Sequence, residues 1–325
     1  MFWIGLLACH SGAGQKADSH PTKLDSGQES SAADSTPALD ADTVTLDGSC
    51  ARESRWGGFD VVSYPEYGLV SGTVLDGVVP TAVLTTIGTA GECTLLRREN
   101  PYCNPTCGSD QTCDLSGTCV PYPLGLSLGE LSMSGLVEPV VMSPTEPGML
   151  YYYTRIANPP YAPGEVAALI GGESTLLSEP LALHGVGVEA LEGVDTAWVL
   201  GVGRGLTVNW RAPVAESRAR LQLVLTIDQH GVSPARIECD LEDDGAGEIP
   251  GDLLDRLLSM GVTGFPRGTL SRRTADRAEI GDGCLDLLVR NELSVTVAVE
   301  GHVPWDEQSD CPEGTSCDLA VETCG

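Results

Sequence analysis

Acidic side chains at alternate positions form the stretch of this sequence that is most typical of a metal site. Asp240, Glu242 and Asp244 precede Gly245, and a calcium ion needs several carboxylate oxygens and a sharp turn. These three residues are therefore the candidate Ca²⁺ ligands, and no other cofactor is predicted. The second half of a twelve-residue calcium loop is missing, because Gly251 stands where the bidentate glutamate belongs. An acidic surface loop is the alternative, and we favour it.

No catalytic set is visible in the sequence. Nucleophilic hydrolysis needs a serine or cysteine activated by a histidine, and the chain beyond residue 48 has only His184, His230 and His302. We interpret His184 and His230 as structural, and neither a G-x-S-x-G elbow nor an H-E-x-x-H helix is present. A carboxylate pair for glycoside hydrolysis stays open, because among 46 acidic residues some pair will lie close together. No catalytic residue is assigned.

Three consecutive tyrosines, Tyr151, Tyr152 and Tyr153, lie on a predicted strand. Successive side chains of a strand point to opposite faces, so Tyr151 and Tyr153 would share one face. If exposed, they would offer stacking surfaces to a sugar or a peptide, which makes them the candidate ligand-binding residues. In the alternative, which we favour, Tyr152 packs inward while its neighbours cover the rim.

The N-terminus carries an apolar run, Phe2 to Ala8, that ends in Leu6-Leu7-Ala8-Cys9. These four residues resemble the lipobox of bacterial lipoproteins, in which the export signal is cut before a cysteine that receives a diacylglyceryl group. The resemblance implies that residues 1–8 are a signal peptide and that Cys9 is lipidated, with fatty chains such as palmitate. His10 stands where an aspartate would favour the inner membrane, so family analogy favours the outer membrane or cell surface. A chance apolar N-terminus or a misassigned start codon is the alternative.

Composition limits the partners. The formal net charge of −28, from 46 acidic and 18 basic side chains, argues against nucleic acid, whose phosphates need a basic face. Lysine occurs only at Lys16 and Lys23, so Schiff-base chemistry and phosphate-binding lysine loops are not expected in the folded part. Residues 9–48 are dominated by small and polar residues and predict a disordered tether behind the lipidated cysteine.

How the cysteines are interpreted depends on whether the protein is exported. Removing Cys9 from twelve cysteines leaves eleven, an odd number, so one thiol should be free or intermolecular. In an exported protein the default state of the others is a disulfide. We expect one bridge between Cys50 and Cys93, which flank a predicted small sheet. A second expected bridge joins Cys239 and Cys284, which flank the predicted helix.

Four further cysteines form a knot at intervals of four, six and six residues: Cys103, Cys107, Cys113 and Cys119. So few apolar residues surround them that cross-links must provide much of the stability. The spacing alone allows three connectivities. This cysteine-rich knot resembles EGF-like and related small modules, and the resemblance implies that Cys103 pairs with Cys113 and Cys107 with Cys119. Zinc is the less favoured alternative, because two closely spaced cysteine pairs are missing.

The sequence pattern of the knot is repeated at the C-terminus. The two matching segments are Cys107-x5-Cys113-Asp114-Leu115-x2-Thr118-Cys119 and Cys311-x5-Cys317-Asp318-Leu319-x3-Thr323-Cys324. We therefore predict an internal repeat. Glu307 stands at the position of Cys103, and three cysteines cannot all pair among themselves. We expect this tail to hold the odd thiol or to reach elsewhere in the chain.

Short runs rich in β-branched residues, separated by Gly, Pro and Asp turns, predict a mostly β fold. We expect a small β region with the knot over residues 49–123, and a main antiparallel β-sandwich over residues 124–303. A cysteine-rich tail follows over residues 304–325. No segment supplies the about 20 apolar residues that a membrane-spanning helix needs.

One short helix interrupts the strands of the main domain. It is predicted over Asp252 to Met260, with Asp252 as its N-cap and Gly261 at its end. Its leucines fall on one side, so it should cover one end of the sandwich. Trp198 and Trp210 are expected in the core.

These features together predict a cell-envelope surface lipoprotein that binds or adheres without catalysis. The expected partners are the membrane, through the lipid anchor, and a glycan or protein ligand. An envelope hydrolase that uses a carboxylate pair is the first alternative. A structural envelope component without a ligand is the second.

Overall fold

Strands are the main secondary structure of the described part of the chain, with one α-helix and a disulfide-rich module, which confirms the predicted fold class. This computed structural model describes residues 39–99, 101–172, 174, 175, 177, 179–215, 217–227, 235–303, 311, 314–318, 323 and 324. The first ten strands are β1 (Arg55–Ser63), β2 (Gly68–Val74), β3 (Thr85–Ala90), β4 (Cys93–Arg97), β5 (Gln111–Cys113), β6 (Cys119–Pro121), β7 (Leu131–Ser134), β8 (Val140–Met142), β9 (Tyr151–Tyr153) and β10 (Val166–Gly171). The others are β11 (Leu181–Val186), β12 (Ala197–Leu200), β13 (Leu206–Asn209), β14 (Arg220–Thr226), β15 (Ala235–Glu242), β16 (Ala246–Ile249), β17 (Arg267–Ile280), β18 (Gly283–Val299), β19 (Cys317–Asp318) and β20 (Thr323–Cys324). The helix α1 spans Gly251–Leu258, and a single 3₁₀ turn spans Pro80–Ala82.

The largest sheet has ten strands. Their order is β3-β4-β15-β14-β17-β18-β1-β2-β9, and β12 pairs with the second half of β18. The pairs are antiparallel except that β1 and β12 run parallel to β18, so the sheet is mixed and not purely antiparallel as expected. Strands from before residue 124 hydrogen-bond with strands from after it. The boundary expected at residue 124 therefore runs through one sheet.

A second sheet, in the order β11-β10-β7-β8, completes a sandwich with part of the large one. The apolar cluster between them joins Leu131 and Leu169 of the small sheet to Phe59, Leu285 and Leu287 of the large sheet. A second apolar cluster lies farther along the same side of the large sheet, beneath α1 and the β13–β16 pair. We call the side that faces both clusters the inner face, and the opposite side the outer face.

Strand alternation explains how the sequence forms these faces. On β14, Leu221, Leu223 and Leu225 are buried on the inner face, while the residues between them lie on the outer face. Trp198 and Trp210 are buried in the second cluster, as predicted. The β17–β18 hairpin turns at Gly281, whose φ of +55° favours glycine.

The predicted helix is present, but its predicted N-cap is wrong. Pro250 occupies the N-cap position, and no side chain accepts a capping hydrogen bond there. Asp252 lies in the first turn instead, where a negative charge interacts favourably with the helix dipole. The buried leucines Leu253, Leu254 and Leu257 pack into the second apolar cluster, as the one-sided pattern predicted.

The two long-range disulfides differ from the expected pairs. Cys50 bonds to Cys284, and Cys93 bonds to Cys239. The expected bridges Cys50–Cys93 and Cys239–Cys284 joined residues that flank one segment, whereas the real bridges follow strand pairing. Cys93 lies directly opposite Cys239 because β4 is hydrogen-bonded to β15. Cys50 reaches Cys284 because the adjoining strand β1 pairs with β18.

The two bridges inside the knot are the expected pairs. Cys103 bonds to Cys113, and Cys107 bonds to Cys119. Among the described residues, the sulfurs of Cys103, Cys107 and Cys119 are the one group of three candidate metal ligands within 4.8 Å of one another. Their disulfides already use these sulfurs, so zinc is not needed to explain the cluster.

The two described strands of the tail pair in the same way as the two strands of the knot. Cys113 faces Cys119 where β5 pairs with β6, and Cys317 faces Cys324 where β19 pairs with β20. Cys311 is in a disulfide, whose partner is none of the eight cysteines already paired. The predicted internal repeat therefore extends from sequence to strand pairing.

The predicted signal peptide and Cys9 lie outside the described residues, so lipidation stays a prediction. The last part of the predicted tether is described, and it contacts the folded part. Arg218 donates to the carbonyl oxygens of Ala41 and Val44, and the Gly48 amide donates to Ala275 of β17. Within the described ranges, no helix combines the length and apolarity needed to cross a bilayer.

Candidate functional site on the outer face of the large sheet

Three arginines lie side by side on the outer face. Arg290 of β18 is directly opposite Arg273 of β17, and Arg273 is directly opposite Arg220 of β14. Neighbouring strands are about 4.8 Å apart, and like charges directly opposite each other destabilise a sheet. We call these three residues the arginine row. The row concentrates positive charge in a chain whose net charge is −28.

Side chains alternate between the two faces along each strand, and this alternation places the arginine row on the outer face. Arg272 is buried on the inner face, so its neighbour Arg273 must lie on the outer face. Leu221 is buried on the inner face, which places Arg220 on the outer face. The row therefore follows from the same pattern that builds the apolar clusters.

The first arginine of the row has two acidic partners. Arg290 Nε lies 3.1 Å from a carboxylate oxygen of Asp60, and its Nη1 donates to Glu292. Burial alone would lower the pKa of Arg290, but the charges of Asp60 and Glu292 raise it. Arg290 is therefore a neutralised member of the row.

The third arginine is neutralised in the same way, and the middle one is not. Arg220 lies 3.1 Å from carboxylate oxygens of both Glu92 and Asp240. For Arg273 the ion pair is longer, at 3.7 Å from Asp240, and its guanidinium makes no hydrogen bond with any residue that the structure describes. Burial lowers the pKa of Arg273, although 14% of its side chain is still exposed. The middle of the row therefore has N–H donors open to a ligand.

A row of shorter polar side chains lies beside the arginine row. In register across β18, β17, β14 and β15, it consists of Glu292, Ser271, Gln222 and Asp240. The Ser271 hydroxyl donates to Glu292 at 3.0 Å. The amide of Gln222 is half-buried and has no hydrogen-bond partner within the described ranges. Carboxylate acceptors and an unpaired amide thus border Arg273.

A short segment that leads into β1, residues 50–55, crosses the outer face near the row. Its Cys50 is bonded to Cys284, and Arg55 donates to Asp286 at 2.7 Å, both on β18. Arg52 donates to Glu238 on β15, which is separated from β18 by two strands. Burial raises the pKa of Asp286, against the charge of Arg55. The segment and its disulfide therefore hold the outer face in a fixed arrangement.

Tyrosine rings border the same face. The rings of Tyr64 and Tyr67 lie 4.7 Å apart just beyond the end of β1. Burial and the nearby charge of Glu292 raise the pKa of Tyr64, which places its ring beside the acidic partner of the arginine row. Tyr152 lies on the outer face of β9, in register with Ser71 of β2, and is 62% exposed.

The prediction therefore assigned the tyrosines of β9 to the wrong faces of the strand. Tyr151, a predicted ligand-binding residue, is fully buried and packs edge-on against Phe59. Tyr153 is half-buried against the sandwich core. Tyr152, expected to pack inward, is the exposed one. The alternation was predicted correctly, but the inner side of β9 could not be known before its pairing with β2.

Removing the hydroxyl should have different effects on stability at two buried tyrosines. The Tyr151 hydroxyl accepts from the Leu128 amide at 2.7 Å and donates to the Gly129 carbonyl, so Tyr151→Phe should destabilise the fold by about 1–3 kcal/mol. The Tyr161 hydroxyl is buried without a hydrogen-bond partner among the described residues, and Tyr161→Phe should leave stability unchanged or raise it. Urea unfolding of both variants measures the difference. Equal losses would contradict the assigned hydrogen bonds.

The predicted calcium ligands do not form a cluster. The ligand oxygens of Asp240, Glu242 and Asp244 do not all lie within 4.8 Å of one another. Asp240 is instead the partner of Arg220, and Asp244 accepts from the amide of Ala246 in the turn. This geometry agrees with an acidic surface turn, while Ca²⁺ binding itself stays a prediction.

The described histidines have structural partners. The backbone amide of His184 donates to Asp276, and its ring nitrogen Nδ1 lies 3.8 Å from the same carboxylate. His302 Nε2 lies 2.8 Å from the Gly264 carbonyl oxygen. His230 lies outside the described residues. These contacts agree with the structural role predicted for His184.

Comparison of the chain with protein-family models and with curated proteins finds no match. The outer face must therefore be interpreted through its own chemistry. The arginine row was not predicted, because its three members become neighbours only through the register of their strands, which the sequence does not specify. One signal was present: Arg220 and Gln222 alternate with leucines, which already places both on a polar face.

Proposed function

We propose that this protein is an exported, lipid-anchored binding protein that presents the outer face of its large sheet to a ligand. The observation that carries the proposal is the outer face itself. Donors of Arg273 and Gln222 that make no hydrogen bond to any described residue lie there in one sheet with the exposed ring of Tyr152. Binding faces commonly combine rigid aromatic rings with a few polar groups in fixed positions.

The scaffold supports the same proposal. Two disulfides join the sheet across large sequence separations, 234 and 146 residues. Disulfides of this kind suit an oxidising compartment outside the cytosol, as the lipobox-like N-terminus implies. A rigid, cross-linked sheet keeps binding groups in place without the entropy cost of ordering them.

Glycan and peptide arrays probed with the full mature chain in detergent would test this function. We expect a ligand whose binding falls at least tenfold in Tyr152→Ala. Val141→Ala is the matched control, because Val141 is 54% exposed on the small sheet, away from the outer face. Equal effects of the two variants, or no ligand at all, would count against a binding role for this face.

Hydrolase substrates belong on the same purified protein. Turnover that disappears when one Asp or Glu is changed would replace the binding function by catalysis. Mass spectrometry of the native protein tests the anchor independently: we expect Cys9 at the N-terminus with acyl chains attached. An intact Met1 without acyl chains would remove the anchor from the proposal.

A further inference from the structure

We propose that Arg273, flanked by Gln222, is the centre of a site for the carboxylate of an acidic sugar. The inference rests on the proposed binding function and specifies its ligand. Arg273 and Gln222 are near neighbours on adjacent strands, and both have donors without a hydrogen-bond partner among the described residues. A guanidinium presents two parallel N–H donors to a carboxylate, and a neighbouring amide N–H adds a third.

The like charges of the arginine row favour the binding of an anion at Arg273. Arg273 stands between Arg220 and Arg290, each of which already has two acidic partners. Without a ligand, Arg273 is surrounded by partly buried groups and has one ion pair, at 3.7 Å. The lowered pKa of Arg273 agrees with a charge that its surroundings do not fully stabilise. A bound anion would stabilise this guanidinium.

The surroundings favour a singly charged anion. Glu238, Asp240 and Asp286 act electrostatically on Arg273. A phosphate monoester carries nearly two negative charges at neutral pH, and these carboxylates would repel it. A carboxylate carries one charge and matches a single guanidinium in shape. The site therefore fits a carboxylate better than a phosphate.

Hydroxyl groups on the ligand would explain the acidic border. Carboxylates accept hydrogen bonds but donate none when ionised, so the exposed carboxylate of Asp240, which already pairs with Arg220, can accept further hydrogen bonds from donors on a ligand or from water. The hydroxyls of a sugar ring are such donors. Tyr152 lies on the same face four strands away, about 19 Å from Arg273, so its ring offers a surface to a neighbouring sugar unit of an oligosaccharide. A short chain of uronic acids combines all three features, whereas a peptide carboxylate lacks the hydroxyls.

Isothermal titration of the full mature chain with a galacturonic acid trimer tests the site. Neutral galactose trimer, a tripeptide with a free C-terminal carboxylate and inorganic phosphate are the comparison ligands. We expect the galacturonate to bind most tightly, and Arg273→Gln to weaken it by roughly tenfold to a hundredfold, as for a hydrogen bond to a charged group. Arg273→Lys keeps the charge but loses the fork, so it should also bind at least fivefold more weakly.

Arg267→Gln is the matched control. Arg267 lies on the same strand and is exposed, and it is six residues from Arg273, which corresponds to about 20 Å of strand. We expect the Arg267→Gln variant to bind galacturonate with unchanged affinity. Arg273→Gln should melt at the same temperature as the native protein or higher, because it relieves the like charges of the row. A purely structural Arg273 would instead lower the melting temperature.

Three results would overturn the inference. They are equal losses in the Arg267 and Arg273 variants, preference for phosphate or for the peptide, and failure of galacturonate to bind the native chain. If a neutral glycan binds and depends on Tyr152 but not on Arg273, the proposed function stands and this site does not.

Discussion

Asp243→Ala is expected to lower the free energy of unfolding by about 3–5 kcal/mol, because it leaves a buried guanidinium without its counter-ion. Arg272 is 1% exposed, and its Nε and Nη2 donate to the two carboxylate oxygens of Asp243 at 2.6 and 3.0 Å. The Trp210 indole donates to the same carboxylate at 2.9 Å. One substitution therefore removes the partners of two buried donors.

The remaining donors of Arg272 show what this pair organises. Its Nη1 donates to the carbonyl oxygens of Glu189 and Ala190, and its Nη2 donates to that of Arg211. Two connecting segments and the acidic turn thus meet at one side chain on the inner face of β17. Loss of Asp243 should loosen these segments before the apolar clusters unfold, which hydrogen exchange at residues 189–191 and 211 would detect.

Guanidinium chloride unfolding measures the effect, and an exposed ion pair provides the control. Arg204 and Glu300 form a salt bridge in which both side chains are more than half exposed, so Glu300→Gln should cost less than about 1 kcal/mol. The double variant Arg272→Met with Asp243→Leu should lose less stability than the two single variants together, because no unpaired charge remains. Additive losses would show that the pair does not act as a unit.

Local chemistry was predictable in this protein, and long-range pairing was not. The alternation of leucines on β14 and the helix with its one-sided leucines depend on neighbours within about a dozen residues, whereas the pairing in the knot was implied by a resemblance and not by its spacing. The bridges Cys50–Cys284 and Cys93–Cys239 depend instead on β1 meeting β18 and β4 meeting β15. No pattern within a segment specifies which distant strand becomes its partner.

The candidate site shows the same limit. Arg220 lies at a predictable outward position among the leucines of β14, but only the register of three strands makes it a neighbour of Arg273 and places Arg273 beside Arg290. The tyrosines of β9 failed by a single position, because a shift of one residue exchanges the two faces of a strand. Asp240 became a counter-ion for the same reason: its strand brings it beside Arg220.

Removing the bridge between Cys93 and Cys239 should destabilise the protein more than removing a bridge of the knot. It spans 146 residues, whereas Cys103–Cys113 spans 10. If a disulfide acts mainly by restricting the unfolded chain, these loops correspond to about 5 and about 3 kcal/mol. Both cysteines of each pair are replaced by alanine, so that no free thiol remains to form a wrong bridge.

Burial gives a second, independent reason to expect a larger loss of stability when the Cys93–Cys239 bridge is removed. Cys93 and Cys239 are each about 1% exposed within an apolar cluster, and the alanines would leave an unfilled space beside Leu95 and Leu223. Urea unfolding of the two double variants gives the comparison, and peptide mapping without reduction confirms which cysteines are joined in the native chain. A knot variant that loses as much stability as the Cys93–Cys239 variant would mean that the unfolded chain is already restricted elsewhere. A mapped Cys50–Cys93 peptide would contradict the strand pairing of the large sheet itself.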